Sequence, residues 1–272
     1  MPEIEDELSD IVSKAQRGLG ISTSQLAART QLEPAAVRAA RTGEPDEATI
    51  RSISPFLGLQ ADGLWKVHQG TYAPKVDAVD GFTRIDTPAP TQGYEEMQVN
   101  AFLLHQPERN EAVLFDTGTS LSAILDALGE RDLKALCVTH THWDHIVVLE
   151  ELIAYFPEMA VYGPPLSKAS HQTTLEGVEV LNIAGLDIAV KPTRGHAHDG
   201  LSYIVRGLTK PIAIVGDAIF AGSVGGIPAE AYEDGLKAIS EHLLTLEPET
   251  IIAPGHAGLT TVDYERAHNP FF

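Results

Sequence analysis

Two hydrophobic rhythms divide the chain. Leu8, Ile11, Val12 and Ala15 recur at helical spacing near the start. Ser22-Thr23-Ser24 then reads as a cap before a helix over 25–30, and Glu33-Pro34 opens another over 35–41 that Gly43 stops. A further helix is expected over 48–57. Beyond 66–75, a stretch with Gly70 and Pro74 that reads as a linker, short apolar runs take over. They predict strands over 99–104, 111–115, 134–139, 160–162, 186–192, 201–205, 211–215 and 250–253. Helices are expected over 121–128, 147–156 and 229–246, the last with Ala231, Leu236, Ile239, Leu243 and Leu246 along one face, as in a helix lying on a sheet. The organisation expected is a small helical domain over 1–65, the linker 66–75, and an α/β domain over 76–272.

Composition narrows the partners. A chain of 272 residues, 43% hydrophobic, buries a full core and suits one large domain with a small one. Its net charge of −19 argues against nucleic acid as the main partner, since phosphate binding depends on Lys and Arg. Residues 1–68 follow suit, with seven Lys or Arg against ten acids, a net of −3. An anionic substrate therefore needs a local basic rim, for which Lys191, Arg194, Arg206 and Lys210 are candidates. Cys137, the sole cysteine, lies in an apolar run and reads as a buried thiol with no disulfide. No run approaches transmembrane length and the first residues are acidic without an apolar core, so the expectation is a cytoplasmic protein with no membrane partner.

The candidate chemistry sits at the ends of the apolar runs. Residues 139–146 read Thr-His-Thr-His-Trp-Asp-His-Ile, which packs His140, His142, Asp144 and His145 into six positions. Imidazole and carboxylate suit zinc, iron or manganese, and an extended chain sends His140 and His142 to one side. Trp143 goes to the other, after which a turn frees Asp144 and His145 for a second ion. Further runs end in a glycine and then a ligand type: Gly195-His196, Gly216-Asp217 and Gly255-His256. Together these are seven ligands for two divalent metal ions, zinc first in expectation. Two such ions lower the pKa of a shared water toward neutrality and polarise a scissile carbonyl or phosphoryl oxygen. Asp144 is a candidate carrier of the released proton, though a metal ligand is a weak base. His198, two residues after His196, is a candidate acid, with a hydrogen-bonded loop histidine as the plain alternative. Asp116, in Phe115-Asp116-Thr117-Gly118, is placed to orient a ligand imidazole through its other nitrogen.

The run His140, His142, Asp144, His145 resembles the H-x-H-x-D-H signature of the metallo-β-lactamase superfamily, and Asp116, His196, Asp217 and His256 match its later motifs. That resemblance covers roughly Gly70 to the C-terminus. It implies a four-layer αββα sandwich with a first metal on His140, His142 and His196, a second on Asp144, His145 and His256, and Asp217 between them. Residues 216–225, 255–262 and 265–272 are similar to glyoxalase II-type thiolester hydrolases, which implies hydrolysis of a small-molecule thiolester such as an acylglutathione. Departures are Val147 and Val148 where glycines are common, Arg194 before Gly195-His196, His198, and Gly226 where relatives often carry arginine.

The helices of the first 65 residues resemble the helix-turn-helix domain of Cro and cI-type repressors, notably over 24–30 and 32–37. A recognition helix there would offer only Arg38 and Arg41, so a part in homodimer formation, covering the substrate mouth or packing is preferred over DNA. The rival function is a regulator in which this region binds DNA or a partner and the metal domain senses a metabolite. Hydrolysis of a lactone or phosphodiester and the chemistry of a mononuclear iron dioxygenase are further candidate functions.

Overall fold

Capping residues delimit the helices of the first quarter. In the computed structural model, which describes residues 4–91, 96–166 and 172–272, these are α1 (Leu8–Gly18), α2 (Thr23–Thr30), α3 (Pro34–Thr42), α4 (Glu47–Ile53) and α5 (Ala61–His68). Ser22 and Gln25 exchange bonds across the first turn of α2, and Gly43, at φ +86°, closes α3. The expected single helix over 48–57 breaks after Ile53 into a 3-10 turn, Ser54–Leu57, in which Pro55 has no amide to continue the α ladder. Helix α5 overlaps the start of the stretch read as linker.

Two six-stranded sheets follow. The first runs in the order β1 (Phe82–Pro88), β2 (Gln98–Leu104), β3 (Glu111–Phe115), β4 (Asp132–Cys137), β5 (Ala160–Gly163), β6 (Gln172–Thr174). Its first three strands pair antiparallel and the rest parallel, with helices α6 (Leu121–Leu128) and α7 (Leu149–Tyr155) crossing over between β3 and β4 and between β4 and β5. The second contains β7 (Val180–Ile183), β8 (Leu186–Pro192), β9 (Leu201–Arg206) and β10 (Ile212–Gly216) as neighbours, then β13 (Ile251–Pro254) and β14 (Thr260–Thr261) beyond β10. Strands β10 and β13 are parallel and linked through α8 (Tyr232–His242). A small hairpin of β11 (Ile219–Phe220) and β12 (Ser223–Val224) follows β10, and α9 (Val262–His268) ends the chain.

The alternation of side chains assigns each face. Phe102, Leu104, Val113 and Phe115 meet Ile188, Val190, Tyr203 and Ile214 between the sheets. Leu103, Leu114 and Leu136, on the opposite face of the first sheet, pack under Ile124 and Leu128 of α6 and Leu149 and Leu152 of α7. Ile204, Ala213, Val215 and Ile252, on the outer face of the second, share one cluster with Ile239 of α8 and with Ile11, Val12, Ile50 and Leu64 of the helical region. The result is the expected αββα sandwich with five helices ahead of it. Each fully buried apolar side chain contributes about 1.5–3 kcal/mol, so the side chains of the sheet in this cluster add to the helical region's own core. At the β7 edge, Val178 and Val180 are 83% and 72% exposed. Between them the Glu179 carboxylate accepts from the amides of Glu176, Gly177 and Val178 at 2.7, 2.8 and 2.9 Å. Among the described residues no helix is long and apolar enough to cross a membrane.

Candidate metal centre

All the ligand-type residues converge at one end of the two sheets. The chain leaves β4 at Cys137 and passes His140 and His142 before a 3-10 turn, Trp143–His145; β10 delivers Asp217 and β13 delivers His256, while His196 lies on the loop between β8 and β9. The loops are tied across the sheets: Tyr203 of β9 donates to the Val138 carbonyl at 2.6 Å, Leu201 N–H to that of Thr139 at 2.8 Å, and Asn100 of β2 to Pro254 at 2.9 Å. The glycines ahead of the ligand types serve two needs. Gly216 sits at φ +50°, the turn that the sequence suggested, whereas Gly255 is there for space, because a Cβ would come within 2.3 Å of Asp217 Oδ1 and 2.5 Å of His145 Cε1.

Two groups of donors form, each able to hold a metal ion. His140, His142, His196 and Asp217 make one, and Asp144, His145 and His256 the other, with the donor atoms of each group within 4.8 Å of one another. In the first, His142 Nδ1 lies 3.1 Å from His140 Nε2 and 3.0 Å from His196 Nε2. In the second, Asp144 Oδ2 is 3.3 Å from His256 Nε2 and 3.8 Å from His145 Nε2. Asp217 touches both: Oδ2 is 3.4 Å from His196 Nε2 and 3.3 Å from His256 Nε2, and Oδ1 is 3.4 Å from His145 Nε2. His145 Nε2 and Asp217 Oδ1 are buried without a hydrogen-bond partner. Buried polar atoms left in this way mark a place for something more, and nitrogen and carboxylate oxygen at this spacing suit a divalent cation.

The outward nitrogens of His140, His145, His196 and His256 are occupied. His145 Nδ1 bonds Asp116 Oδ2 at 2.9 Å, His256 Nδ1 the Gln98 carbonyl at 2.6 Å and His196 Nδ1 the Gly226 carbonyl at 3.2 Å. These acceptors fix the tautomer with the proton on Nδ1, leaving Nε2 for the cavity. Asp116 is the hub. It also accepts from the Thr139 amide at 2.7 Å and the Thr139 hydroxyl at 2.8 Å, and Thr139 Oγ1 lies 3.0 Å from His140 Nδ1. Its own backbone is left-handed, at φ +55°, a conformation costly for any residue with a Cβ and one that Asp tolerates better than most.

The charges are strongly coupled. Burial opposes protonation of His145 and His256, yet Asp217 and the carboxylates beside them lift these imidazoles to about 10 and about 11. His140 is pushed down to about 2 by burial and by His145, and His196 is lowered for the first of these reasons. Burial works against charge on Asp217 too, but His256 and His145 hold it well below the usual carboxylate range. Asp144 is lowered against burial by His256 and His145.

Other expected residues fall away from the donors. His198 is exposed and belongs to neither group. Arg194 is exposed and 3.8 Å from Glu176, Val147 is 44% exposed, and Val148 is buried with α7. Residues that composition and spacing missed come from the first turns of the chain. Glu5 has its carboxyl raised by desolvation, with His256 opposing and Asp6 and Asp217 adding. Lys14 of α1 pairs with Asp6, donates to the Val224 carbonyl at 2.8 Å and lies 5.4 Å over the Phe220 ring. The acidic run before α1 gave no periodic signal that could have pointed to the site.

Residues 94–256 match the family model of the metallo-beta-lactamase superfamily, so α1 to α5 lie outside the matched stretch. Hydroxyacylglutathione hydrolase GloC of Haemophilus influenzae is 29% identical over 200 residues, which cover 64% of this chain and 92% of that protein. Among solved structures, BLEG-1 B3 metallo-beta-lactamase superposes with a TM-score of 0.58 at 28% identity, covering 70% of this chain and 98% of that one. TTHA1623 in a di-iron-bound form gives 0.50 at 25% identity, covering 68% of this chain and 100% of that one. With two sheets in this order, the His/Asp groups at their shared end and a family match over more than half its length, the chain belongs to the metallo-beta-lactamase superfamily of metallo-hydrolases.

Proposed function

We propose that the chain is a dinuclear hydrolase of small thiolesters, of the glyoxalase II type. The observation that carries this reading is Asp217, whose two oxygens reach donors of both groups. His140, His142 and His196 would hold one ion and Asp144, His145 and His256 the other, with Asp217 in reach of both groups. Zinc is the expected metal, with iron or manganese as alternatives; a similar fold at 25% identity is known in a di-iron-bound form. Bound there, divalent ions supply Lewis acidity, which acidifies water and polarises a carbonyl oxygen.

The protein's own part is orientation and proton handling. Asp116 holds His145 directly and His140 through Thr139, so a single carboxylate keeps one ring of each group in line. Asp144, at the turn after His142, is the carboxylate proposed to take the proton of an attacking water, as a weak base held low, against burial, by His256 and His145. The leaving group needs little help if it is a thiolate of pKa about 8.5, which departs unprotonated. An alkoxide or amine would need an acid, and His198 is exposed outside both groups. That favours a thiolester over a lactone or amide. Hydroxyacylglutathione hydrolases among the relatives support the same class.

The test is elemental analysis together with a substrate panel of acyl-thiols, lactones and phosphodiesters, with Asp217→Ala as control. Two metal ions per chain and thiolester turnover that the Asp217→Ala protein lacks are expected. Turnover confined to lactones or phosphodiesters would overturn the substrate class, and one ion per chain the dinuclear reading. For the helical region the function favoured is completion of the site's mouth.

A further inference from the structure

The basic rim expected for an anionic substrate is largely engaged elsewhere. Arg194 lies 3.8 Å from Glu176, Arg206 2.7 Å from Glu247 and Lys210 2.8 Å from Asp77. Cations close to the donors come instead from α1. The Lys14 amine is held by Asp6 and the Val224 carbonyl and lies 5.4 Å over the Phe220 ring. The Phe220 ring beneath it meets the His256 ring at 6.1 Å. One turn further along α1, Arg17 is exposed and has no ion pair among the described residues.

A cavity of about 280 Å³ opens between α1 and the loop after the β11–β12 hairpin, lined by Lys14, Arg17, Gly226, Ile227 and Pro228. Among the described residues no acid lines it, in a chain with twice as many acids as bases. It adjoins the first donor group through Gly226, whose carbonyl holds His196. A Cβ at Gly226 would meet nothing within 4 Å, so the loop leaves this space open. Such a volume takes one end of a small molecule and not the whole. A guanidinium without a partner at its edge matches a carboxylate in two parallel bonds.

We propose that this cavity receives a carboxylate at the end of the substrate remote from the scissile bond, with Arg17 as its charge partner and Lys14 fixing the wall. The helical region then selects the substrate. This rests on the hydrolase reading above and deepens it, assigning an anionic substrate to a site on a chain of net charge −19.

The test is calorimetric binding of two non-hydrolysable thioether analogues to metal-loaded protein, identical except that one bears a carboxylate and the other a carboxamide. The carboxylate should bind about tenfold tighter, the scale of one charge-assisted contact. Arg17→Ala should erase that preference, Arg17→Lys should keep part of it, and Gly226→Val, which narrows the cavity, should weaken the carboxylate analogue with all charges intact. Equal binding of the pair by the unaltered protein, binding of neither, or a preference that survives in Arg17→Ala overturns the proposal. Because binding needs no turnover, a panel without thiolester hydrolysis would overturn only the thiolester reading.

Discussion

Asp116 accepts from three donors at once, an amide, a hydroxyl and an imidazole. An asparagine there keeps the tolerance for a left-handed backbone but must turn its NH2 toward either the Thr139 amide or the His145 N–H, each of which is a donor. Asp116→Asn should therefore lower metal affinity about 10–100-fold with the fold retained, read by chelator competition. Affinity unchanged would mean the imidazoles need no such hub. The imidazoles also set a dependence on pH. In the metal-free protein His145 and His256 titrate at about 10 and about 11, above the 6.5 of a free imidazole. Their stabilisation is complete below about 6.5 and is lost as pH rises through about 10 and 11. Asp217 acts in the other direction, stabilising above about 3.8 and losing effect as pH falls, while His140 and His196, held low, give ground below about 6.5. Chelator-treated protein should thus resist urea better at about pH 7 than at about pH 9.5. Metal binding needs deprotonated donors, so the loaded protein should escape this loss. Equal urea midpoints for the metal-free protein at the two pH values would sink the argument.

At the scale of elements, the β11–β12 hairpin is gripped from both ends of the chain. Ser223 bonds Asp6, which pairs with Lys14 of α1, while Glu265 and Asn269 hold the amide of Gly222 and the carbonyls of Phe220 and Ser223. The Asp6 and Lys14 side chains are only 10% and 12% exposed. Lys14→Met strands a buried carboxylate and should cost about 3–5 kcal/mol, most of it recovered when Asp6→Asn is added. A double-mutant cycle by urea unfolding reads the difference, and additive effects would show that the pair is uncoupled.

Strands with an unbroken apolar run or a clear alternation were legible. The expected 111–115 and 186–192 coincide with β3 and β8, and every ligand type lies just past such a run. Edge elements were not. Strand β1 carries Thr83, Arg84 and Asp86 among its apolar residues, and β7 exposes Val180, so neither shows a clean period. Helix α9 depends on a distant partner, its Glu265 accepting from Tyr72 at 2.9 Å. The seven donors could be read because each sits in its own local motif. Lys14 could not, because the carbonyl it holds is 210 positions away.

For the molecule as a whole, the helical region and the second sheet bury one cluster in common, in which Ile11, Leu64, Val215 and Ile239 are all at most 2% exposed. A region that shares its core with a sheet does not melt apart from it. Calorimetry of the full chain should show a single cooperative transition, and two well-separated peaks would mean that the helices fold independently.

The Glu179 carboxylate has a consequence at this scale. At the β7 edge, where Val178 and Val180 are exposed, an incoming strand would need free amides to dock, and the three amides just ahead of β7 already donate to that side chain. Glu179→Ala uncovers them and turns the edge into a template for other copies, so slow growth in light scattering should accompany that one substitution. A single glutamate would thereby guard one edge of the second sheet against other copies.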